Sequence, residues 1–269
     1  MSKFGCILQN GVIVDIITSL DNASVKEARS LHDKKFRRYY GKFIIEGKKQ
    51  VTEAIAKGIE IDKLFVDSTK ADMYENLIVS TDAPVLFVSS NVFKSISDTE
   101  TPQGILATAV LPVAEFYKHN ENNKALVLDK VSDPGNMGAI IRTACAVGIQ
   151  HIFTIDCVDP YSPKVIRSSS GGLYHVKIYP TDYSELLAIC KKHNIELLVA
   201  DMHGENIYDS NFAVNNSYAL VIGNEGKGVS AELKAAGRLI KLPMKQEMES
   251  LNAGVSASII LYALEGKNI

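Results

Sequence analysis

Residues 125–147 read ALVLDKVSDPGNMGAIIRTACAV, an apolar run, a polar turn and a second apolar run in direct succession. The first run has the length of a buried strand and the second that of a helix. Between them Asp133-Pro134-Gly135 forces a turn, Asn136 can cap the helix, and Gly138 lets another backbone come close. A structural reading accounts for all of these residues but leaves Arg142, which shares the greasy helix with no ionisable group except Cys145. A guanidinium stays protonated and is costly to desolvate, so an anion is expected beside it, either a carboxylate of the protein or a phosphate of a ligand.

The strand–turn–helix pattern repeats outward from this stretch. Toward the carboxyl end, residues 151–155, 176–179, 197–200, 219–222 and 239–242 read as further strands, most of them separated by helix-like segments. A mainly parallel sheet covered on both faces is expected, with ligands beyond the carboxyl ends of its strands. Toward the amino end, residues 43–45, 61–66, 85–88 and 105–110 read as strands and residues 25–40, 50–57 and 73–78 as helices, a smaller α/β unit. The polar, turn-rich residues 113–123 make a linker, so the expected domains are 1–112 and 124–269.

The chain has 269 residues, 46% of them hydrophobic, which suffices for one or two cored domains. It contains no uninterrupted apolar run of membrane-spanning length and no amino-terminal apolar core of a signal peptide, so a cytoplasmic protein is expected. Its four cysteines show no CxxC spacing, which argues against a zinc site or disulfide framework. Net charge is −2, yet residues 26–49 hold nine cations against three carboxylates, an excess of +6 suited to phosphates.

Two more loops carry chemistry. After 219–222 comes Gly223-Asn224-Glu225-Gly226-Lys227-Gly228. Its glycine spacing is not that of a dinucleotide fold, and Val229 stands where a phosphate loop needs lysine. It is a ligand loop of another kind or a flexible turn, and Glu225 is a candidate anion for Arg142. The third loop runs from Leu242-Pro243-Met244 through Glu247 to Ser250-Leu251-Asn252, ahead of an apolar helix over 253–264. Ser250 or Asn252 capping that helix is the commoner fate of such residues. The helix offers no polar face of any size and should be buried on all sides.

Taken together, DPGNMGAIIRTA (133–144), IGNEGKG (222–228) and LPMKQEMESLN (242–252) resemble the three ordered motifs of the SpoU, or TrmH-like, ribose 2′-O-methyltransferases. Arg167-Ser168-Ser169-Ser170-Gly171 is similar to the segment between the first two. The amino-terminal part is similar to that family's ribosomal-protein-like (L30e-like) RNA-binding domain, in the segments around 43–47 and 101–105. The resemblance implies a homodimer that moves a methyl group from S-adenosylmethionine to a ribose 2′-hydroxyl of RNA, with a carboxyl-terminal trefoil knot. No metal and no membrane are expected, from the cysteine spacing and the lack of a spanning apolar run. By position Gly223, Leu242, Met244 and Leu251 would hold the cofactor, glycine at 223 and 226 sparing room for the adenosine. Asn136, Arg142, Glu225, Ser250 and Asn252 would form the catalytic set. A guanidinium makes a poor base, so Arg142 is read as a grip on the target phosphate and a stabiliser of the developing alkoxide, oriented by Glu225.

For RNA the chain offers Lys34-Lys35-Phe36-Arg37-Arg38-Tyr39-Tyr40. Either Lys35, Arg37 and Arg38 pair phosphates while the rings stack bases, or the stretch is a solvated helix face whose Phe36 and Tyr39 are core. The separate amino-terminal domain favours large-subunit ribosomal RNA over transfer RNA, by resemblance alone. The rivals are a transfer-RNA 2′-O-methyltransferase, an RNA-binding relative without activity, opposed by the intact catalytic set, and a nucleotide-dependent dehydrogenase, opposed by the glycine spacing.

Overall fold

The computed structural model describes residues 6–9, 12–113, 124–245 and 250–266, with side chains from Asp15 onward. The chain divides into two compact units, Met1–Pro112 with Tyr161–Pro163, and Val113–Pro160 with Lys164–Ile269. The expected linker lies outside the described residues except for Val113.

The first unit opens with an antiparallel ribbon of β1 (Cys6–Gln9) and β2 (Val12–Asp15), for which the sequence offered no expectation. The expected helix over 25–40 is two, α1 (Ala23–Ser30) and α2 (Lys34–Tyr40). Each starts on a side-chain cap: Asn22 accepts from the Ser24 and Val25 amides, and Asp33 from the Lys35 amide at 2.7 Å. Gly41, left-handed at φ 64°, ends α2. There follow β3 (Lys42–Glu46), α3 (Lys48–Ala56), β4 (Ile61–Asp67), a 3₁₀ turn at Ser68–Tyr74, α4 (Glu75–Val79), β5 (Val85–Val88), α5 (Ser90–Ile96) and β6 (Ile105–Val110). The strands form one sheet in the order β3-β6-β4-β5. Val25, Ala28, Phe93 and Ile96 close a fully buried core over its Ile44, Phe65 and Leu106.

The second unit runs β7 (Lys124–Asp129), α6 (Pro134–Ala146), β8 (His151–Ile155), α7 (Pro163–Ser169), a 3₁₀ turn at Gly172–His175, β9 (Lys177–Pro180), α8 (Tyr183–His193), β10 (Glu196–Asn206), β11 (Tyr218–Ile222), α9 (Ala231–Ala236), β12 (Arg238–Lys241) and α10 (Ala253–Glu265). All six strands are parallel, in the order β12-β10-β11-β7-β8-β9. The expected parallel sheet is present. From β7 the chain builds to one edge through β8 and β9, then returns to build the other half, with β11 beside β7. The loops after β7 and β11 therefore leave neighbouring strands at the point where the winding direction changes, where a crevice opens in such sheets. Interior strands are apolar on both faces: Ala125, Val127, Ala219 and Val221 are buried on one and Leu126, Leu128, Leu220 and Ile222 on the other.

Of three local expectations, two change and one holds. The cap of α6 is Asp133, which accepts from the Asn136 amide at 2.8 Å, with Pro134 in the first turn; Asn136 lies inside the helix and its side chain is free for other work. Gly138 does serve close approach, since a Cβ there would stand 1.8 Å from Ser168 Oγ. Helix α10 is not buried all round. Gly254, Ala257, Ile260 and Leu261 are buried, whereas Val255 and Tyr262 are about half exposed; α10 packs on α6 and is tied to β7 and β11 through Glu265, which accepts from Lys124 Nζ and Tyr218 OH.

Candidate active site

The loop after β11 is closed by its own backbone. Asn224 and Gly228 exchange amide–carbonyl hydrogen bonds at 3.1 and 2.9 Å, and Asn224 Oδ1 accepts from the Gly226 and Lys227 amides at 3.0 Å. A Cβ on Gly223 would lie 2.3 Å from Gly228 C and Val229 N, so glycine is demanded here by the loop itself rather than by room for a ligand. At Gly226 the nearest atom to such a Cβ is Asn224 Oδ1 at 3.7 Å, so nothing among the described residues requires glycine there.

Glu225 reaches from this loop to the one after β7. Its Oε1 accepts from Asn136 Nδ2 at 2.9 Å and the Asp133 amide at 3.2 Å, and its Oε2 from Ser132 Oγ at 3.0 Å and the Ser132 amide at 3.3 Å. Partial burial alone would raise this carboxyl, but the donors, Asn136 foremost, outweigh it and hold the group down at about 2. Asn224 Nδ2 adds a second strap to Lys130 O at 2.8 Å.

Beneath the two loops lies Asp129, fully buried at the end of β7. It accepts from Tyr183 OH at 2.9 Å and from the Ser230 amide, ahead of α9, at 2.7 Å. This anchor was missed by sequence reasoning, although an aspartate ending an apolar strand was a visible signal.

The expected pairing of Glu225 with Arg142 is corrected. Arg142 is exposed and makes no hydrogen bond or ion pair among the described residues. The cause is helical geometry. Arg142 follows Asn136 by six residues, which carries it about 9 Å along α6 and roughly 240° around it. Its backbone is gripped by the next segment, where a Cβ on Gly172 would be 3.0 Å from Arg142 Cα.

A cavity of about 390 Å³ opens at the carboxyl ends of β11 and β12, beside Ala200–Met202 in the middle of β10, within the roughly 300–1,000 Å³ usual for small-molecule sites. Its walls include all four expected cofactor residues, Gly223, Leu242, Met244 and Leu251, together with Glu225, Ser250 and Lys241. Asn136, Arg142 and Asn252 are not among the lining residues. Asn252 caps α10, its Oδ1 accepting from the Gly254 and Val255 amides at 2.9 and 3.2 Å. The capping alternative therefore holds for Asn252, whose Nδ2 makes no hydrogen bond among the described residues. Residues 246–249 of the third motif lie outside the described residues.

Sequence reasoning also passed over Asp201, a further wall residue. Burial pushes its carboxyl up, but the ion pair to Lys234 at 2.7 Å and the His203 amide keep it below the usual range. Apolar Ile222, Ile240 and Ile260 complete a lining that also carries the charged Asp201, Glu225, Lys227, Lys234 and Lys241, a mix of apolar wall and polar groups usual for a small-molecule site. Among the described residues no cluster suits a metal ion, and no helix is long and apolar enough to cross a membrane.

In the amino-terminal unit the three expected RNA contacts separate. Arg37 is buried, its Nη1 donating to Leu31 O and His32 O, both at 2.8 Å. It is a structural tie between α1 and α2, which corrects its place in the RNA set. Lys35 and Arg38 are exposed. So are Phe36, Tyr39 and Tyr40, so the rings are not core.

Residues 123–262 match the SpoU rRNA Methylase family, and residues 22–107 the MRM3-like substrate binding domain. The chain is 32% identical to the 23S rRNA (guanosine(2553)-2′-O)-methyltransferase RlmP of Bacillus subtilis, over 93% of this chain and 99% of that one. Its fold superposes on the AdoMet-bound rRNA methyltransferase of Sinorhizobium meliloti with a TM-score of 0.84 at 27% identity, covering 94% and 98% of the two chains. The SpoU methyltransferase AviRb of Streptomyces viridochromogenes, at 23% identity, shares the fold with a TM-score of 0.85 over 92% and 98%. With its second and third motif loops lining one cavity, and with these matches spanning both units, the chain belongs to the SpoU rRNA methylase family.

Proposed function

We propose that this protein transfers a methyl group from S-adenosylmethionine to a ribose 2′-hydroxyl of large-subunit ribosomal RNA in the cytoplasm. The observation that carries this reading is the single cavity walled by Gly223, Leu242, Met244 and Leu251, residues drawn from two of the three motifs. The sulfonium cofactor supplies an activated methyl group, so the protein's share is positioning and exclusion of water. Leu242, Met244 and Leu251 hold the cofactor against the Gly223 backbone. Glu225 and Asn136 fix the two loops above it rather than the arginine. Arg142, with its guanidinium free, grips a phosphate of the target nucleotide and stabilises the developing alkoxide. Ser250 and the Nδ2 of Asn252 orient the ribose.

The same reading calls for a homodimer. Val255 and Tyr262 make an exposed apolar stripe on α10, and α10 packs on α6, the helix that carries Arg142. A second copy covering the stripe brings Arg142 toward the partner's cavity, and the trefoil knot of the family belongs to this proposal as well. Support for ribosomal RNA comes from the relatives, RlmP and the mitochondrial rRNA methyltransferase 3A of Danio rerio among them.

Two measurements test the reading. Titration calorimetry with S-adenosylmethionine should show saturable binding, and mapping of 2′-O-methyl groups on ribosomal RNA should reveal one position lost in cells lacking the protein. Absence of both signals would overturn it.

A further inference from the structure

The face of α2 has a shape that the methyl-transfer site does not use. Tyr39 is 77% exposed and Tyr40 40%. Their rings meet nearly at right angles with centroids 4.9 Å apart, and Tyr40 stacks on Phe36 at 6.4 Å. Lys35 Nζ lies 5.6 Å from the Phe36 ring centre, and Arg38 stands exposed beside it. Three neighbouring aromatic rings left open to water on a seven-residue helix form an apolar surface that a partner is needed to cover.

The chemistry around the rings selects the partner. Helix α2 carries no acidic residue, and the carboxylate before it, Asp33, is engaged as its cap. A cation-rimmed aromatic surface attracts polyanions and repels a second copy of itself. The ring faces have no use on a duplex, whose bases are stacked inside and whose minor groove presents hydroxyls and phosphates. Unpaired bases, in contrast, stack on aromatic faces while their phosphates meet lysine and arginine. The platform is also preorganised, because the buried Arg37 ties α2 to the end of α1 through Leu31 O and His32 O.

We infer that Tyr39, Tyr40 and Phe36 form a stacking platform for unpaired bases of the substrate RNA, with Lys35 and Arg38 neutralising the adjoining phosphates. This rests on the reading of the protein as an RNA methyltransferase and narrows its substrate to RNA presenting a single-stranded loop or bulge near the modified nucleotide.

The test is a binding titration of the full-length protein with two fluorescently labelled RNAs, a hairpin with an unpaired loop and the blunt duplex of its stem. Tyr39→Ala should weaken hairpin binding about tenfold, within the range for loss of one stacked base, and leave duplex binding unchanged. Tyr39→Phe should restore the hairpin affinity. The double variant Lys35→Glu, Arg38→Glu should weaken both RNAs and lower the salt dependence. Hairpin binding that is indifferent to Tyr39→Ala, or lost equally for the duplex, overturns the platform. So does a wild-type protein that binds neither RNA while still binding S-adenosylmethionine, an outcome that leaves the cofactor reading intact. A change in oligomeric state on Tyr39→Ala, measured by light scattering, overturns it in favour of a protein contact.

Discussion

At the scale of single residues, Glu225 and Arg142 show how differently two charges on motif loops can be used. Glu225 is saturated with donors, and its carboxyl is depressed to about 2 against an ordinary value near 4.5. Because the folded value lies below the unfolded one, its stabilisation is complete above about pH 4.5 and is lost as the pH falls from about 4.5 to about 2. Glu225→Gln should therefore flatten that part of the stability–pH curve in urea denaturation. The loss at neutral pH should stay near or below about 1 kcal/mol, since the loop is solvated and its charges screened. The same variant should weaken S-adenosylmethionine binding by loosening the strap between the two loops. Which residue is caged and which left exposed was not legible in either motif, because both are short polar stretches beside glycine or apolar helix. What decided it was the angle between positions 136 and 142 on α6.

At the scale of elements, the site is a contact between loops held by backbone geometry. Gly223 approaches Gly228 and Val229 so closely that even a methyl group forces the loop open, whereas Gly226 has room. Gly223→Ala should abolish saturable S-adenosylmethionine binding in calorimetry and lower the thermal midpoint, while Gly226→Ala should change neither appreciably. If both behave alike, the self-closure of the loop is not what organises the cavity. Of the caps, the one that opens α10 was readable in the sequence, whereas that of α6 falls on Asp133 and not on the expected Asn136. Asn22, Asp33 and Asn252 each bond amides within three residues, an interaction written in neighbouring sequence. The ribbon of β1 and β2, the break between α1 and α2, and the short α5 were less so, since each departs from a simple apolar period over only a few residues.

At the scale of the whole molecule, the exposed stripe on α10 sets the quaternary prediction. Val255→Glu with Tyr262→Glu should turn a dimer into a monomer in light scattering and remove methyl transfer, while each protomer retains S-adenosylmethionine binding. Mixing Arg142→Ala with Asn252→Ala subunits should recover part of the activity when each site takes its arginine from the neighbour. Failure of the mixture, with both variants dimeric, would assign Arg142 to its own subunit's site. The sequence by itself determined the alternating strands, a cap at the start of α10, the glycines of the tight turns and the three motifs, because these depend on groups within a few residues of one another. Only the tertiary structure decided that Glu225 serves Asn136, that Arg142 and the rings of α2 face water, and that Arg37 and Asp129 are buried anchors. Except at Arg37, those environments come from segments far apart in the chain, about ninety residues for Glu225 and Asn136. Burial and partnership are set by packing across such distances, and local propensity carries no record of them.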